Sequence, residues 1–415
     1  MGLTMQEKKA LTREVSKRYQ KAQKKEKSKI LDELVKTTGY NRKYLLHTLA
    51  NLGKTTIVHL AGKTVRLQAS PRKRRKGGGR KPIYTDEFVS VLRAIWVFFY
   101  YKCGKILAAF MREQIHYLEP AFRITPEIKK LLLKVSPATI DRKLKADKKR
   151  LALKGKSRTK PGNLLKKQIP IRTYYTEADK KPGFFEVDTV HHCGISESGE
   201  FCLTLSATDV YSGWVELRSL LNKAQKWILE ALPTIKSSLP FPFLGLDSDN
   251  GSEFINKPLQ LWCSQQSIQF TRSRPYRKND NCYVEQKNNS CVRNFIGYDR
   301  FSSLAERDAL AAVYHPLCLL LNYFMPTLKL ISKTRVGSKI KRVYDKKILS
   351  PYQRLLLSAD VSDQAKQELA RRHGLYNPVV LQREVHDAVD ALMSLKKAQK
   401  LEGVNSLANS ALQTN

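Results

Sequence analysis

Apolar residues along the first sixty positions recur at the spacing of amphipathic helices. This periodicity predicts three helices within residues 5–52, with a break at residues 36–40 between the apolar groups 30–35 and 44–49. A helix-turn-helix gives this pattern, and a plain helical hairpin would give a similar one. We assign residues 1–60 to a first, all-α domain of the helix-turn-helix type.

A second helical pattern follows a stretch without periodicity. Residues 61–82 are rich in glycine and basic residues and predict a flexible linker, with a nuclear-localisation signal as the alternative interpretation. Residues 83–152 predict a second all-α domain, whose most basic helix begins at Pro137 after Ser136 and extends to Leu151. Weak periodicity then indicates a connector over residues 153–180.

Beyond this connector the pattern changes from helical spacing to short strand-like runs. Three such runs follow one another in residues 184–220, and helices then alternate with two further strands up to a helix that starts near Asn281. This order predicts a mixed five-stranded sheet flanked by helices, and we assign the α/β domain to residues 181–303.

The remaining residues, 304–415, have a mainly helical pattern. For residues 336–345 the sequence does not decide between a basic β-hairpin and a loop. The two most apolar stretches, 88–110 and 309–325, are interrupted by charged or polar residues, so we interpret them as core helices rather than membrane spans. Residues 1–30 are charged throughout and do not resemble a signal peptide, so we expect a cytoplasmic protein without a membrane partner.

Net charge gives the first indication of a partner. The formal charge of +38 is far more than solubility requires and points to a polyanion. Residues 1–170 contain 43 Lys+Arg and 12 Asp+Glu, whereas residues 171–415 contain 32 and 25. A lysine-rich surface that serves only solubility usually mixes both signs. We therefore expect the N-terminal part to bind nucleic acid.

Candidate DNA contacts fall at four places: the start of the second helix of the helix-turn-helix, the basic linker, the basic helix after Ser136, and the segment before the last helix of the α/β domain. A solvated basic face is the alternative for the last two. The candidates are Asn41, Arg42, Lys43, Arg72, Lys73, Arg74, Arg75, Arg80, Lys81, Arg142, Lys143, Lys145, Arg272, Arg274, Arg277 and Lys278.

Three carboxylates stand at comparable places in the α/β domain. Asp188 lies within its first strand, Asp249 just past its fourth, and Glu285 within the helix after its fifth. Mg²⁺ and Mn²⁺ prefer carboxylate oxygens, and two such ions about 4 Å apart can hold a scissile phosphate from both sides.

The segments Ser248–Phe254 and Asn279–Asn288 resemble the D-D-E catalytic domain of retroviral integrases and insertion-sequence transposases. The resemblance covers roughly residues 170–303 and rests on D-N-G-x-E-F, V-E-x-x-N, their spacing and the order of the strands. It implies an RNase H-like fold and DNA phosphoryl transfer without a covalent enzyme intermediate. Residues 1–170 contain a single cysteine, so the His-His-Cys-Cys zinc domain of the retroviral enzymes has no counterpart. This departure places the chain nearer the bacterial insertion-sequence transposases.

By this resemblance Asp188, Asp249 and Glu285 are catalytic and ligate two Mg²⁺ or Mn²⁺ ions per active site. The implied enzyme nicks the element's terminus with water and joins the freed 3′-OH to target DNA. Its partners are then terminal and target DNA and further copies of itself, at least a dimer on paired ends, with no small-molecule substrate. We expect a bacterial, nucleoid-associated location. The alternatives are a structure-selective nuclease and a DNA-binding regulator with an inactive core.

Neighbouring residues compete for some of these roles. Asp209 and Asp247 are the alternatives for the first and second aspartate, although a turn suits Asp209 better. Glu253 matches the motif as hydrogen-bond support rather than as a ligand. Zinc binding is the alternative role for His191 and His192, but no second His/Cys pair at ligand spacing accompanies them. Seven cysteines without a C-x-x-C pair predict buried thiols in a reducing compartment.

Overall fold

The computed structural model divides into two compact units, Met1–Ile83 and Tyr84–Asn415. The residues that it describes are 3–60, 63–68, 83–150, 180–249, 251, 253–272, 284, 287–336 and 339–413.

The first unit is a three-helix cluster. Its helices are α1 (Met5–Lys21), α2 (Lys24–Thr38) and α3 (Arg42–Asn51). Helix α2 ends at Gly39, whose φ of 68° is a left-handed conformation that glycine adopts without strain. Asn41 caps α3, because its side-chain oxygen accepts the backbone N–H of Lys43 at 2.8 Å. The short turn between α2 and α3 therefore stands where the break in apolar periodicity predicted it.

A β-hairpin follows these helices and was not expected from the sequence, which assigned this stretch to an all-α domain and a linker. Its strands are β1 (Thr55–Leu60) and β2 (Lys63–Gln68), paired antiparallel with Thr55 opposite Gln68. β1 opens with four consecutive β-branched residues, which favour extended backbone. That short run was the signal that helical periodicity obscured.

Five helices open the second unit. They are α4 (Asp86–Phe98), α5 (Gly104–Ala121), α6 (Pro126–Lys134), α7 (Pro137–Lys143) and α8 (Lys145–Arg150). Thr125 and Ser136 cap α6 and α7 as predicted, each accepting a backbone N–H at the start of its helix. The single helix predicted over residues 137–151 is divided at Leu144. Its N–H is shared between two carbonyls of the preceding turn, which tightens the chain there.

The predicted mixed five-stranded sheet is confirmed. Its strands are β3 (Phe184–His191), β4 (Leu203–Asp209), β5 (Val215–Leu220), β6 (Gly245–Ser248) and β7 (Gln269–Arg272). Their order is β5-β4-β3-β6-β7, with β3, β4 and β5 antiparallel and β6 and β7 parallel to β3. Helices α9 (Gln225–Ser238) and α10 (Lys257–Gln265) make the two crossovers.

The C-terminal elements are mainly helical, as predicted, and the undecided segment is a hairpin. The elements are α11, with π-helical turns Asn288–Arg293 continuing into Asn294–Ile296; α12 (Leu304–Leu319) with a π-helical extension Leu320–Phe324; β8 (Leu330–Val336); β9 (Lys339–Tyr344); α13 (Pro351–Leu357); α14 (Asp363–Leu375); and α15 (Pro378–Gln413).

These C-terminal elements pack against the sheet and share its hydrophobic core. The side-chain amide of Asn322 accepts the backbone N–H of Val215 and donates to its carbonyl, both at 2.8 Å. Val215 lies on β5, the edge strand of the sheet, so Asn322 occupies part of a strand edge that would otherwise be open to pairing.

Four described cysteines are buried, and all described cysteines are free thiols. The prediction of buried thiols is wrong for Cys103, which is exposed at the N-terminus of α5, and Cys193 is only partly buried. Cys282 lies outside the described residues. Among the described residues, no helix combines the length and apolar character that a membrane span requires.

Arg354 on α13 joins the C-terminal region to the β4–β5 turn. Its guanidinium is buried and donates to the carbonyls of Ser212 and Thr327, at 2.8 and 2.6 Å, and to Oγ1 of Thr327. Burial lowers the pKa of Arg354 to about 10.

We expect Arg354→Met to destabilise the second unit by about 3 kcal/mol, because it leaves buried acceptors without their charged donor. Urea unfolding monitored by circular dichroism measures this change. Arg383→Met, at an exposed position of α15, is the matched control and should fall within about 0.5 kcal/mol of the wild type. Equal midpoints for the two variants would contradict the anchoring role of Arg354.

Candidate active site

The two predicted catalytic aspartates meet at one end of the sheet. β3 and β6 are parallel neighbours with Val187 opposite Ser248. Asp188 and Asp249 are the next residues on the two chains, so the same register places them side by side. Both are partly exposed, and paired residues on neighbouring strands project from the same face.

Hydrogen bonds orient both carboxylates. Oδ1 of Asp188 accepts the N–H of Thr189 at 2.8 Å, and Oδ2 accepts the amide of Asn288 at 2.7 Å. Oδ1 of Asp249 accepts the N–H of Gly251 at 2.8 Å. Two adjacent, oriented carboxylates are a donor set that suits a hard divalent cation such as Mg²⁺ or Mn²⁺.

The loop after β6 passes so close to these groups that Gly251 has no room for a side chain. A methyl group there would lie 2.9 Å from Oδ1 of Asp249 and 2.7 Å from the carboxyl carbon of Glu253. Oε1 of Glu253 in turn accepts the hydroxyl of Thr189 at 3.1 Å. Glu253 therefore links the loop after β6 to β3, the strand that carries Asp188.

The third predicted carboxylate, Glu285, lies outside the described residues, but its chain neighbours are described. Val284 is fully buried and donates its backbone N–H to Oε2 of Glu186 at 3.1 Å. Nζ of Lys287 donates to the carbonyl of Gly213 at 3.0 Å. Residues on both sides of position 285 are thus fixed against the sheet.

Sequence reasoning missed two residues that hold this region together. Asn288, which bonds to Asp188, was already within the quoted V-E-x-x-N motif. Glu186 precedes Asp188 by two positions on β3, so strand alternation alone puts both on one face. Its buried position opposite Asp247 could not be read from the sequence.

Asp209 and Asp247, the alternatives for the two catalytic aspartates, are both buried and hydrogen-bonded within the fold. Asp209 is fully buried and accepts the N–H groups of Gly183 and Ser212, at 2.8 and 2.7 Å, and the Ser212 hydroxyl. Burial raises the pKa of Asp209 to about 6, against the effect of these donors. Asp247 is also buried and accepts the hydroxyl of Thr271 on β7. The contacts of Asp209 stabilise the β4–β5 turn, and the contact of Asp247 links β6 to β7.

The adjacent histidines are buried and neutral. Nε2 of His192 lies 2.7 Å from Oγ1 of Thr204. Burial lowers the pKa of His191 to about 4 and that of His192 to about 3. Among the described residues, which exclude Glu285, no three His, Cys, Asp or Glu side chains converge as metal ligands would.

The predicted DNA-contact residues are distributed over both units. Those described are Asn41, Arg42 and Lys43 at the start of α3, Arg142 and Lys143 on α7, Lys145 on α8, and Arg272 on β7. Arg42 forms an ion pair with Asp32 of α2 and donates to Oγ of Ser28 at 2.8 Å. Arg272 is buried opposite Ser248, at the same sheet end as Asp249. The others, Arg72, Lys73, Arg74, Arg75, Arg80, Lys81, Arg274, Arg277 and Lys278, lie outside the described residues.

Comparison with known proteins identifies the class. Residues 178–278 match the family model described as integrase core domain. With the observed sheet, this match defines an RNase H-like core of the D-D-E integrase and transposase superfamily. The chain is 34% identical over 338 residues to the uncharacterized protein y4rM of Sinorhizobium fredii (strain NBRC 101917 / NGR234), covering 80% of this chain and 91% of that protein. It belongs to the same family as y4rM.

Solved structures with similarity to the chain include two viral integrase cores and a chain of a viral intasome. The HTLV-2 integrase catalytic core with magnesium is 18% identical, covering 35% of this chain and 90% of that one, with a TM-score of 0.27. The BIV integrase catalytic core is 16% identical, covering 41% of this chain and 91% of that one, with a TM-score of 0.25. A chain of the simian T-cell lymphotropic virus intasome in complex with PP2A regulatory subunit B56 gamma is 16% identical, covering 43% of this chain and 58% of that one, with a TM-score of 0.26. Superpositions this loose carry no information about individual residues.

We expect Gly251→Ala to weaken Mn²⁺ binding by about tenfold, because the added methyl displaces Asp249 and Glu253. Calorimetric titration with Mn²⁺ measures the affinity. Gly374→Ala is the matched control, since a methyl group there meets no atom within 4 Å. Unchanged Mn²⁺ affinity in a folded Gly251→Ala protein would show that this loop does not shape a metal site.

The buried histidines predict a loss of stability in acid. When folding lowers the pKa of a histidine, the unfolded chain takes up the proton at a higher pH than the folded chain does. The free energy of unfolding therefore falls as the pH drops from 6.5 towards 4, by up to about 1.4 kcal/mol per pH unit for each histidine. Urea unfolding between pH 7.5 and 4.5 should show a shallower pH dependence in His192→Gln. His116→Gln, at an exposed position, should keep the wild-type slope; equal slopes in all three proteins would exclude His192 as a source.

Proposed function

We propose that this protein is the transposase of an insertion sequence, which binds the element's terminal DNA, cleaves it with divalent metal ions and joins the 3′-OH to target DNA. The observation that carries the proposal is the adjacency of Asp188 and Asp249 within the segment that matches the integrase core. The origin of y4rM in Sinorhizobium fredii agrees with a bacterial element.

We assign Glu285 as the third catalytic carboxylate. Val284 and Lys287 are both helical, and Asn288, which follows Lys287, reaches Asp188. Residues three apart on a helix share a face, so Glu285 would face the aspartates together with Asn288. Glu186 and Lys287 would hold this helix in place through their contacts with Val284 and Gly213.

Asp188, Asp249 and Glu285 would hold two Mg²⁺ or Mn²⁺ ions. Bound there, the ions would supply charge stabilisation for the attacking and departing oxygens of the phosphate. The protein's own contribution is preorganisation. Because Asn288 and two backbone N–H groups already fix the aspartates, little reorientation is needed when DNA enters.

Recognition of the element's ends would fall to the N-terminal part of the chain. The turn between α2 and α3, the Asn41 cap and the exposed Arg42 and Lys43 fit a recognition helix that meets DNA with its first turn. The excess of 43 basic over 12 acidic residues in positions 1–170 supplies the attraction to phosphate. Joining two ends to one target requires at least a dimer on paired ends.

Strand transfer of a 3′-OH-ended duplex of the element's terminus into a plasmid tests this function. Asp188→Asn, Asp249→Asn and Glu285→Gln should each lower joining by at least about 10²-fold while retaining DNA binding. The matched control is Glu197→Gln, an exposed acid of the same domain, which should join like the wild type.

Other outcomes would replace the proposal. Metal-dependent nicks without joined product would identify a nuclease of the same fold. DNA binding without cleavage, even with Mn²⁺, would identify a regulator with an inactive core. Full activity in one of the three variants would remove that residue from the catalytic set.

A further inference from the structure

We propose that the β8–β9 hairpin is a DNA-binding ribbon, which contacts the phosphates of duplex DNA beside the candidate active site. This inference rests on the proposed function and assigns to the C-terminal region a contact that the integrase core match, which ends at residue 278, does not include.

Charge singles out this hairpin. Residues 329–347, the hairpin and its flanks, contain eight Lys or Arg and one Asp. All of residues 171–415 contain 32 basic and 25 acidic residues, so outside this segment the remaining 24 of each sign cancel. This short, two-stranded element and its flanks therefore carry a net charge equal to that of the C-terminal 245 residues as a whole.

The geometry of the hairpin suits a DNA groove. Strands of six and seven residues span roughly 20 Å, and the major groove admits a two-stranded β-ribbon. The register places Lys333 opposite Arg342 and Lys341 opposite Thr334. Thr334 and Lys341 are exposed, so this pair is accessible to DNA.

The base of the hairpin is fixed to the sheet. Thr327 donates its N–H to the carbonyl of Leu349 at 2.9 Å, which closes the two arms. Arg354 binds Thr327 and Ser212 together. Nζ of Lys329 lies 4.1 Å from the ring centroid of Tyr211, a cation–π contact with the β4–β5 turn. A ribbon with this base has a defined position relative to the catalytic sheet.

The same turn contacts Lys287, which is close in the chain to the proposed third catalytic carboxylate. A methyl group on Gly213 would lie 3.6 Å from Oγ1 of Thr327, 3.7 Å from Arg354 and 4.0 Å from Nζ of Lys287. Lys287 is two residues from Glu285, and Thr327 is three residues from the start of β8. The β4–β5 turn thus contacts both the base of the ribbon and Lys287. DNA bound along the ribbon would therefore lie beside the candidate active site.

Salt dependence of DNA binding by the full chain tests the ribbon. The variant is Arg335→Gln, Lys339→Gln, Lys341→Gln; the control of equal charge is Lys226→Gln, Lys257→Gln, Lys397→Gln, three exposed lysines of the second unit. The probes are a duplex of the element's terminus and an unrelated duplex of equal length. Loss of three phosphate contacts should reduce the slope of log K against log salt by about 2.7 on both duplexes, with little change in the control.

A photocrosslinking amino acid gives an independent measurement of contact. Placed at Thr334 it should crosslink duplex DNA, whereas at Ser198, an exposed position of the β3–β4 loop, it should not. Equal salt slopes for the variant and its control, with no crosslink at Thr334, would overturn the ribbon while the wild type still joins DNA. Failure of the wild type itself to bind or join DNA would instead contradict the proposed function.

Discussion

The register of β3 against β6 is the constraint on which the candidate active site depends. Because side chains alternate between faces, a slip of one residue on either strand would separate Asp188 from Asp249. Close packing opposes such a slip at the start of the pair. Gly245 lies opposite Phe184, and a methyl group on that glycine would approach the ring to 2.4 Å. The chemistry at one end of the sheet thus depends on the fit at the other.

A second set of contacts is centred on the β4–β5 turn, residues 209–213. Asp209 bonds within this turn, Arg354 reaches it from α13, and Lys287 reaches it from the position before α11. Buried charges are tolerated only with well-placed partners, and each partner here comes from a different part of the chain. The C-terminal region is therefore part of the same folded unit as the sheet, although the integrase core match ends before it.

The distribution of charge suits the proposed separation of DNA binding from phosphoryl transfer. Positive charge concentrates in residues 1–170 and in the β8–β9 hairpin, whereas carboxylates collect at the ends of β3 and β6. In the proposed function, a basic surface would draw DNA in from solution, and the two carboxylates would repel its phosphates until divalent cations neutralise them. Under this proposal, productive contact of DNA with the site would be conditional on bound metal.

The sequence alone determined what depends on local pattern. Helix positions followed from periodicity and from caps such as Ser136, and the mixed sheet followed from the order of strands and helices. The two candidate aspartates followed from the D-N-G motif, its spacing and the order of the strands. It could not determine contacts between residues far apart in the chain, such as Asn288 with Asp188 or Arg354 with Ser212. Nor did it predict the β1–β2 hairpin or decide on the β8–β9 hairpin, since a two-stranded hairpin is marginal without tertiary support. Local propensity acts over a few residues, whereas burial and pairing depend on which distant segments the fold brings together.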